Sequence, residues 1–282
     1  MYKFSGISRQ SFFENEARQK KDNAKVSVLI EHIKTVRGEQ PCLGARKIYH
    51  KMLNDSKLLA DIENIGRDKF EMILLNNGFR IRKIKAYLKT TVRGPYIFKN
   101  LIANFVPDAP DQVWVSDLTY YIVVQQGQVR HYYLTLIMDK FTRRCLGYAV
   151  SDNMITESTT LPALEMALKN RSVAKDQKLP KLIFHSDGGG QFSDKAFLSR
   201  LSEHDIQSSM GKQAYENPNA ERLNGIIKNE YLLPWGVNSF SELEVKTPKA
   251  VYLYNAQRPH FALRYFTPAA FEKSLNHTHT AK

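Results

Sequence analysis

Apolar residues recur at helical spacing in three early stretches. From about Ala24 to Val36, Val26, Leu29, Ile30 and Ile33 share one face. From about Ala45 to Leu53 the face is Ile48, Met52 and Leu53, and from about Arg67 to Asn76 it is Phe70, Ile73 and Leu74. Gly78 follows the last stretch, where a helix stop is expected. After residue 104 the period shortens. Residues 113–124 (VWVSDLTYYIVV) and 129–138 (VRHYYLTLIM) predict two strands about a turn at Gly127. A turn at Lys140 to Arg144 leads to a third strand, 145–150 (CLGYAV). A helix is expected over about Glu157 to Lys169, with Leu161, Leu164, Met166 and Leu168 as its apolar surface. The short apolar run 181–186 (KLIFHS) predicts a central strand. A helix from about Asp194 to His204, a strand at Ile206–Ser209 and a helix from about Asn219 to Tyr231 follow.

Two regions emerge. Residues 1–104 predict a small all-α, helix-turn-helix-like basic domain that ends in an extended arm. Residues 105–282 give the order β-β-β-α-β-α-β-α, three antiparallel strands and then αβαβα, with a helical tail. That is the order of an α/β fold with an RNase H-like mixed sheet.

Charge separates the same two regions. The chain carries a net +13, and residues 1–104 hold 21 Lys and Arg against 10 Asp and Glu. The excess therefore sits almost wholly in the first region, which points to a polyanion such as DNA as its partner. The segment Arg80 to Lys99 holds Arg80, Arg82, Lys83, Lys85, Lys89, Arg93 and Lys99 and no acid. Solvated faces usually mix signs, so this arm reads as a DNA contact. No apolar run is long enough to span a bilayer, and MYKFSGISRQ lacks a basic-then-apolar leader pattern. A cytoplasmic, nucleoid-associated protein is expected. Cys42 and Cys145 stand far apart and propose neither a disulfide framework nor a zinc site.

Three acids fall where chemistry is expected. Asp117 lies inside the first strand, where an ionised carboxylate is costly unless paired or metal-bound. Asp187 ends the apolar strand and opens into Gly188, Gly189 and Gly190. Glu221 lies in the first turn of the helix after Pro218. In an RNase H-like sheet the first and fourth strands are neighbours, so Asp117 and Asp187 would stand side by side. A site of carboxylate oxygens suits two Mg²⁺ or Mn²⁺ ions, which clamp an in-line phosphoryl transfer. Each acid taken singly also fits a cap, a turn or a solvated position.

At these residues the chain resembles the retroviral-integrase-like (rve, DDE) catalytic domain of bacterial insertion-sequence transposases. It is most similar to OrfB, the second-frame product of two-frame elements. The resemblance rests on WVSDLTYY (114–121), YYLTLIMDKFTRRCLGYAVS (132–151), FHSDGGGQF (184–192), YENPNAERLNGIIKNEYL (215–232) and YNAQRPHFALRYFTPAAF (254–271). A looser likeness in GARKIYHKML (44–53) and NNGFRIR (76–82) covers the helix-turn-helix part.

The resemblance implies that Asp117, Asp187 and Glu221 are the acidic triad of a polynucleotidyl transferase. It implies cleavage at element ends and attack of the freed 3′-OH on double-stranded target DNA. It further implies a homo-oligomer on DNA, working with the first-frame OrfA product or as a fused OrfAB form. The interval from Asp187 to Glu221 is two residues shorter than the family's common spacing, and the shortfall falls at Gly211 to Ala214. Glu216 is the rival third carboxylate, but it precedes Pro218 and so reads as a loop or capping acid. Arg222 and Lys228, on the same helix as Glu221, are expected to steer a DNA phosphate. His185, Gln191 and Asn224 are candidate supporting contacts, while Arg258 and His260 match a family motif without an assigned role. Two other readings stay open: an RNase H-like nuclease or resolvase that only hydrolyses, and a DNA-binding regulator with a non-catalytic acidic domain.

Overall fold

Strand β1 (Val113–Gln125) explains most of the architecture of the second region, because its two faces bury different sets of residues. Val113, Val115, Tyr121 and Val123 enter one apolar cluster, while Trp114 and Leu118 enter another. A strand buried on both faces belongs inside a sheet with helices on each side. The computed structural model describes residues 8–62, 64–81, 97–125, 127–212 and 214–279. It divides the chain into two compact units, residues 1–83 and 84–282.

In the second unit β1 pairs antiparallel with β2 (Gln128–Asp139), and β2 with β3 (Cys145–Ser151). On its other edge β1 pairs parallel with β4 (Ile183–Ser186), and β4 with β5 (Gln207–Met210). The order β3-β2-β1-β4-β5 is that of the RNase H-like sheet expected from the sequence. Strand β4 has a neighbour on each side, but the middle position belongs to β1. Among the helices, α5 (Thr160–Asn170) and α6 (Lys195–Glu203) cover one face. On the other face lie α7 (Pro218–Ile226), a π-helical segment (Ile227–Leu232) and α8 (Phe240–Ala256). The single helix expected from Asn219 to Tyr231 is thus an α-helix that widens into a π-helix, a change that apolar spacing does not encode. The helical tail expected after it is α8 followed by α9 (Pro268–His279).

Helix α5 approaches β3 so closely that Gly147 has no room for a side chain. A Cβ there would stand 2.1 Å from the Ala163 carbonyl oxygen and 2.9 Å from the Ala167 nitrogen. Both are backbone atoms and cannot swing aside. Gly147→Ala is therefore expected to cost about 3 kcal/mol, near the top of the usual overpacking range. Urea unfolding measures this, and an unchanged midpoint would refute so close a contact.

The turn joining β2 to β3 is organised by Asp139, which is fully buried. Its carboxylate accepts from the Phe141 and Thr142 amides at 2.9 and 2.7 Å, the Thr142 hydroxyl at 3.1 Å and the Asp111 amide at 2.6 Å. Arg171, at the end of α5, pairs with Asp111 at 2.8 Å and with Glu272 of α9. Glu272 also holds Arg144. Helix α9 is thereby clamped to the turn and to α5.

Among its described residues the first unit has four helices: α1 (Arg9–Glu39), α2 (Ala45–Leu53), α3 (Leu59–Ile62) and α4 (Arg67–Asn76). Its core contains Leu29, Ile33, Ile48, Met52, Phe70 and Leu74, which belong to the faces read from spacing. Helix α4 ends at Asn76, and Gly78, two residues on, has a φ of 78°, in the left-handed region that glycine adopts most readily. Helix α1 begins well before Ala24, at Ser8, whose hydroxyl accepts from the Ser11 amide. From Ser8 to Lys25 every described side chain except Glu16 is exposed, so no apolar face marks this half in the sequence. The arm expected over Arg80 to Lys99 falls mostly outside the described residues, including Arg82, Lys83, Lys85, Lys89 and Arg93; Arg80 is described and exposed. No helix among the described residues is long and apolar enough to cross a membrane.

Candidate active site

The parallel pairing of β1 with β4 sets Val115 opposite His185. Two residues further along each chain stand Asp117, on the middle strand, and Asp187, just past the end of β4. Helix α7 then lies against β1. The Asn217 side-chain amide donates to the Ser116 carbonyl at 2.8 Å, and Asn224 donates to the Asp117 carboxylate at 2.9 Å. One turn before Asn224, Glu221 lies in the first turn of α7. Lys228, in the π-helical segment, donates to the Thr119 hydroxyl at 2.7 Å and the Tyr120 carbonyl at 3.1 Å. The helix is thus fastened to β1 at Ser116, Asp117, Thr119 and Tyr120.

Charge records this closeness. The Asp117 carboxyl is pushed up to about 7 by burial first and by the negative charge of Asp187 second, with Glu221 adding to the rise. The Asn224 hydrogen bond and the Lys228 cation act in the opposite direction. Three acids therefore feel one another on neighbouring elements, although no group of three His, Cys, Asp or Glu among the described residues is spaced to hold an ion. Carboxylates without a counter-charge repel, which favours separation until a cation neutralises them. Their donor atoms are all oxygens, a set that fits a hard divalent cation.

The remaining expected residues fall into place around this group. His185 is fully buried, and its Nδ1 meets the Ser209 hydroxyl of β5 at 2.9 Å. Burial, with Lys140 adding, pushes it down to about 4, so it stays neutral and ties β4 to β5. The Gln191 amide donates to the Met154 carbonyl at 3.0 Å and so ties its loop to the segment that follows β3. Glu216 accepts from the Lys212 amide within the loop before α7. Asp187 accepts from the Gly189 amide at 3.2 Å. Arg222 is exposed on α7, whereas Lys228 turns inward to β1. Arg258 forms a buried two-pronged pair with Glu230 of the π-helical segment, and its Nη1 lies 3.1 Å from His260 Nε2. The family motif at these two residues thus braces the segment that follows α7.

Two cations were not foreseen. Lys140 and Arg143 stand on the β2–β3 turn, and the Arg143 guanidinium donates to the Asn219 side chain at the start of α7. Arg143 holds a φ of 62°, a left-handed conformation costly for a side chain of its size. The one available signal was the dense run of basic residues in DKFTRRC, which reads equally well as a solvated turn.

Comparison with known proteins places the chain in a family. The integrase core domain family matches residues 107–215, and a second integrase core domain family matches residues 204–268. A chain named as transposase for insertion sequence element IS986/IS6110, from Mycobacterium tuberculosis, is 31% identical over 82% of this chain and 81% of its own length. A 31 kDa protein of insertion element IS600 from Shigella sonnei is 28% identical, over 96% of this chain and 97% of its own. Transposase InsF for insertion sequence IS3A of Escherichia coli is 26% identical over 71% and 68% respectively. Among solved structures, the HTLV-2 integrase catalytic core domain in complex with magnesium aligns with 20% identity and a TM-score of 0.44, covering 58% of this chain and 97% of that one. The chain belongs to the insertion-sequence transposases that carry an integrase core domain, a class of DNA polynucleotidyl transferases.

Proposed function

We propose that the chain cuts DNA at the ends of its insertion sequence and joins the freed 3′-OH to target DNA, with Asp117, Asp187 and Glu221 as the site's acids. The observation that carries this reading is the parallel pairing of β1 with β4, which sets Asp117 beside the end of β4 where Asp187 stands, with α7, the helix of Glu221, tied to β1 through Asn217 and Asn224. A divalent cation held by these three side chains would offset the burial and the charge of Asp187 that push the Asp117 carboxyl up. Two such ions, Mg²⁺ or Mn²⁺, would supply Lewis-acid stabilisation of an in-line phosphoryl transfer.

The chain's own residues provide position. Asn217 and Asn224 hold α7 along β1, and Glu221 stands between them on that helix. Lys228 fixes the next stretch of the same face and places a positive charge near Asp117. Arg222 is exposed and suited to a DNA phosphate. In this reading residues 1–104, with Arg80, Arg82, Lys83, Lys85 and Lys89, hold double-stranded DNA, and residues 105–282 do the chemistry. The chain works in the bacterial cytoplasm as a homo-oligomer on DNA, together with the first-frame OrfA product or fused to it.

Glu221→Gln removes one carboxylate while keeping shape. Metals contribute several kcal/mol to such transition states, and each 1.36 kcal/mol is ten-fold in rate, so joining should fall roughly a hundred- to thousand-fold. The assay combines labelled element-end DNA, a pre-cleaved end and Mg²⁺, and scores joined products. Wild-type rates from the variant would remove Glu221 from the site. Cleavage without joining by the unaltered chain would favour a hydrolytic nuclease instead.

A further inference from the structure

The segment that leads into the sheet is stitched to it just short of the acids. Across β1, β4 and β5 the register sets Val115 beside His185, and His185 beside Ser209. Two residues on from Val115 and His185 stand Asp117 and Asp187. Beyond Ser209, the Gly211 amide donates to the Ser186 carbonyl at 2.9 Å. Strand β5 therefore accompanies β4 up to the residue before Asp187.

Ser209 joins two partners through one side chain. It is buried, and its hydroxyl accepts from the Leu101 amide at 2.9 Å. The same oxygen lies 2.9 Å from Nδ1 of the fully buried His185. A serine hydroxyl has one proton and two lone pairs. With the amide on a lone pair, the proton is free for Nδ1. The incoming segment is fixed again one residue later. Ile102 is buried in the same apolar cluster as Val115, and its amide donates to the Asn100 side chain at 3.0 Å.

Downstream of Asp187 the chain offers little stiffness. Gly188, Gly189 and Gly190 follow it, and glycine restricts the backbone less than any other residue. Firmness behind Asp187 has to come from β4, and at His185 that strand is tied sideways by the Ser209 hydroxyl. Mg²⁺ demands near-ideal octahedral geometry and tolerates little drift of a ligand.

We propose that Ser209 is a positioning residue of the metal site. By bridging Leu101 and His185 it holds the end of β4, and with it Asp187, in place relative to Asp117. Ser209 itself touches no ion. The proposal rests on the reading of the three acids as a metal site. It also gives the residues that precede the sheet a part in that site, because the Leu101 backbone shares its hydrogen-bond partner with His185.

The test measures Mn²⁺ binding by the full chain without DNA, through loss of the free-ion EPR signal. Residues that orient metal ligands from behind account for roughly ten- to hundred-fold in affinity, so Ser209→Ala should weaken Mn²⁺ binding at least about ten-fold. The Mn²⁺ concentration for half-maximal joining should rise by the same factor, while the rate at saturating Mn²⁺ changes little. Ser209→Thr keeps the hydroxyl and should restore both. Without metal, the Leu101 amide should exchange with solvent faster in Ser209→Ala. Wild-type Mn²⁺ affinity in Ser209→Ala, even with a lowered Tm, would reduce the bridge to a structural contact and overturn the proposal. A loss shared equally by Ser209→Thr, or unchanged exchange at Leu101, would overturn it too. Asp117→Asn separates the two readings. Wild-type Mn²⁺ binding by that variant would remove the acids as the metal site. Lost binding there, with unchanged binding in Ser209→Ala, would sink the role of Ser209 alone.

Discussion

Asp117→Asn is expected to stop strand cleavage and, in the absence of metal, to make the protein more stable. The replacement amide keeps the shape of the side chain and can still accept from Asn224, which donates to Asp117 at 2.9 Å. It removes a negative charge that burial, Asp187 and Glu221 all disfavour. Relief of such crowding is worth about 1–2 kcal/mol after allowance for the partial exposure of the site. For a unit of this size that is a rise of roughly 2–8 °C in Tm.

The sign of the pH dependence follows from the raised carboxyl. Its ordinary value is 3.8 and its folded value is about 7, so between these the folded state keeps a proton that the unfolded state has lost. Stability from the neutral acid is complete below about 4 and fades as pH rises to about 7. The advantage of the variant should accordingly be absent near pH 4 and full above about 7. Added Mg²⁺ should raise the wild-type Tm near pH 8 and leave the variant almost unmoved. Thermal unfolding across pH, with and without Mg²⁺, measures both. Equal Tm values near pH 8, or cleavage by the variant, would refute the assignment.

Arg258→Ala carries the largest expected loss of stability. The guanidinium is 4% exposed and reaches both Glu230 oxygens at 2.8 Å. Removing one partner leaves a desolvated charge behind, at a cost of about 3–5 kcal/mol, or roughly 6–20 °C in Tm. Because Glu230 lies in the segment that continues α7, activity should fall as well. Arg258→Lys should not rescue, since an ammonium cannot reproduce the two-pronged geometry. Replacing both residues together, Arg258→Met with Glu230→Leu, should be less damaging than the single change. A double variant as unstable as Arg258→Ala would show that the pair matters for packing rather than charge.

How far the sequence disclosed this molecule depended on the range of each interaction. The strands were legible from their apolar runs between turns; along β1 alternate residues enter two different clusters, Val113 and Val115 one and Trp114 and Leu118 the other. Helices α2 and α4 were legible because each buries one face, at Ile48 and Met52 and at Phe70 and Leu74. The first half of α1 buries no such face, so its helix left no period to detect. Among the candidate site residues, Asp117 and Asp187 could be set side by side because strand order predicts which strands are neighbours. Contacts between distant side chains could not be named. Asn217 reads as an ordinary cap before proline, yet its amide turns to Ser116. Lys228 reads as a DNA contact, yet it donates to Thr119 and Tyr120. Arg258 finds its partner 28 residues away, and Arg143 meets Asn219 across 76.

The clamp that Glu272 makes on Arg144 and Arg171 has a consequence for the order of events during synthesis. Chains leave the ribosome from the N-terminus, and early segments fold before later ones exist. All three acids emerge well before Arg258 and Glu272. A nascent chain that already carries the three acids therefore lacks the arginine that pairs with Glu230 after α7 and the glutamate that holds Arg144 on the β2–β3 turn. The bracing of the β2–β3 turn and of the segment after α7 therefore arrives last, after every one of the three acids has been made.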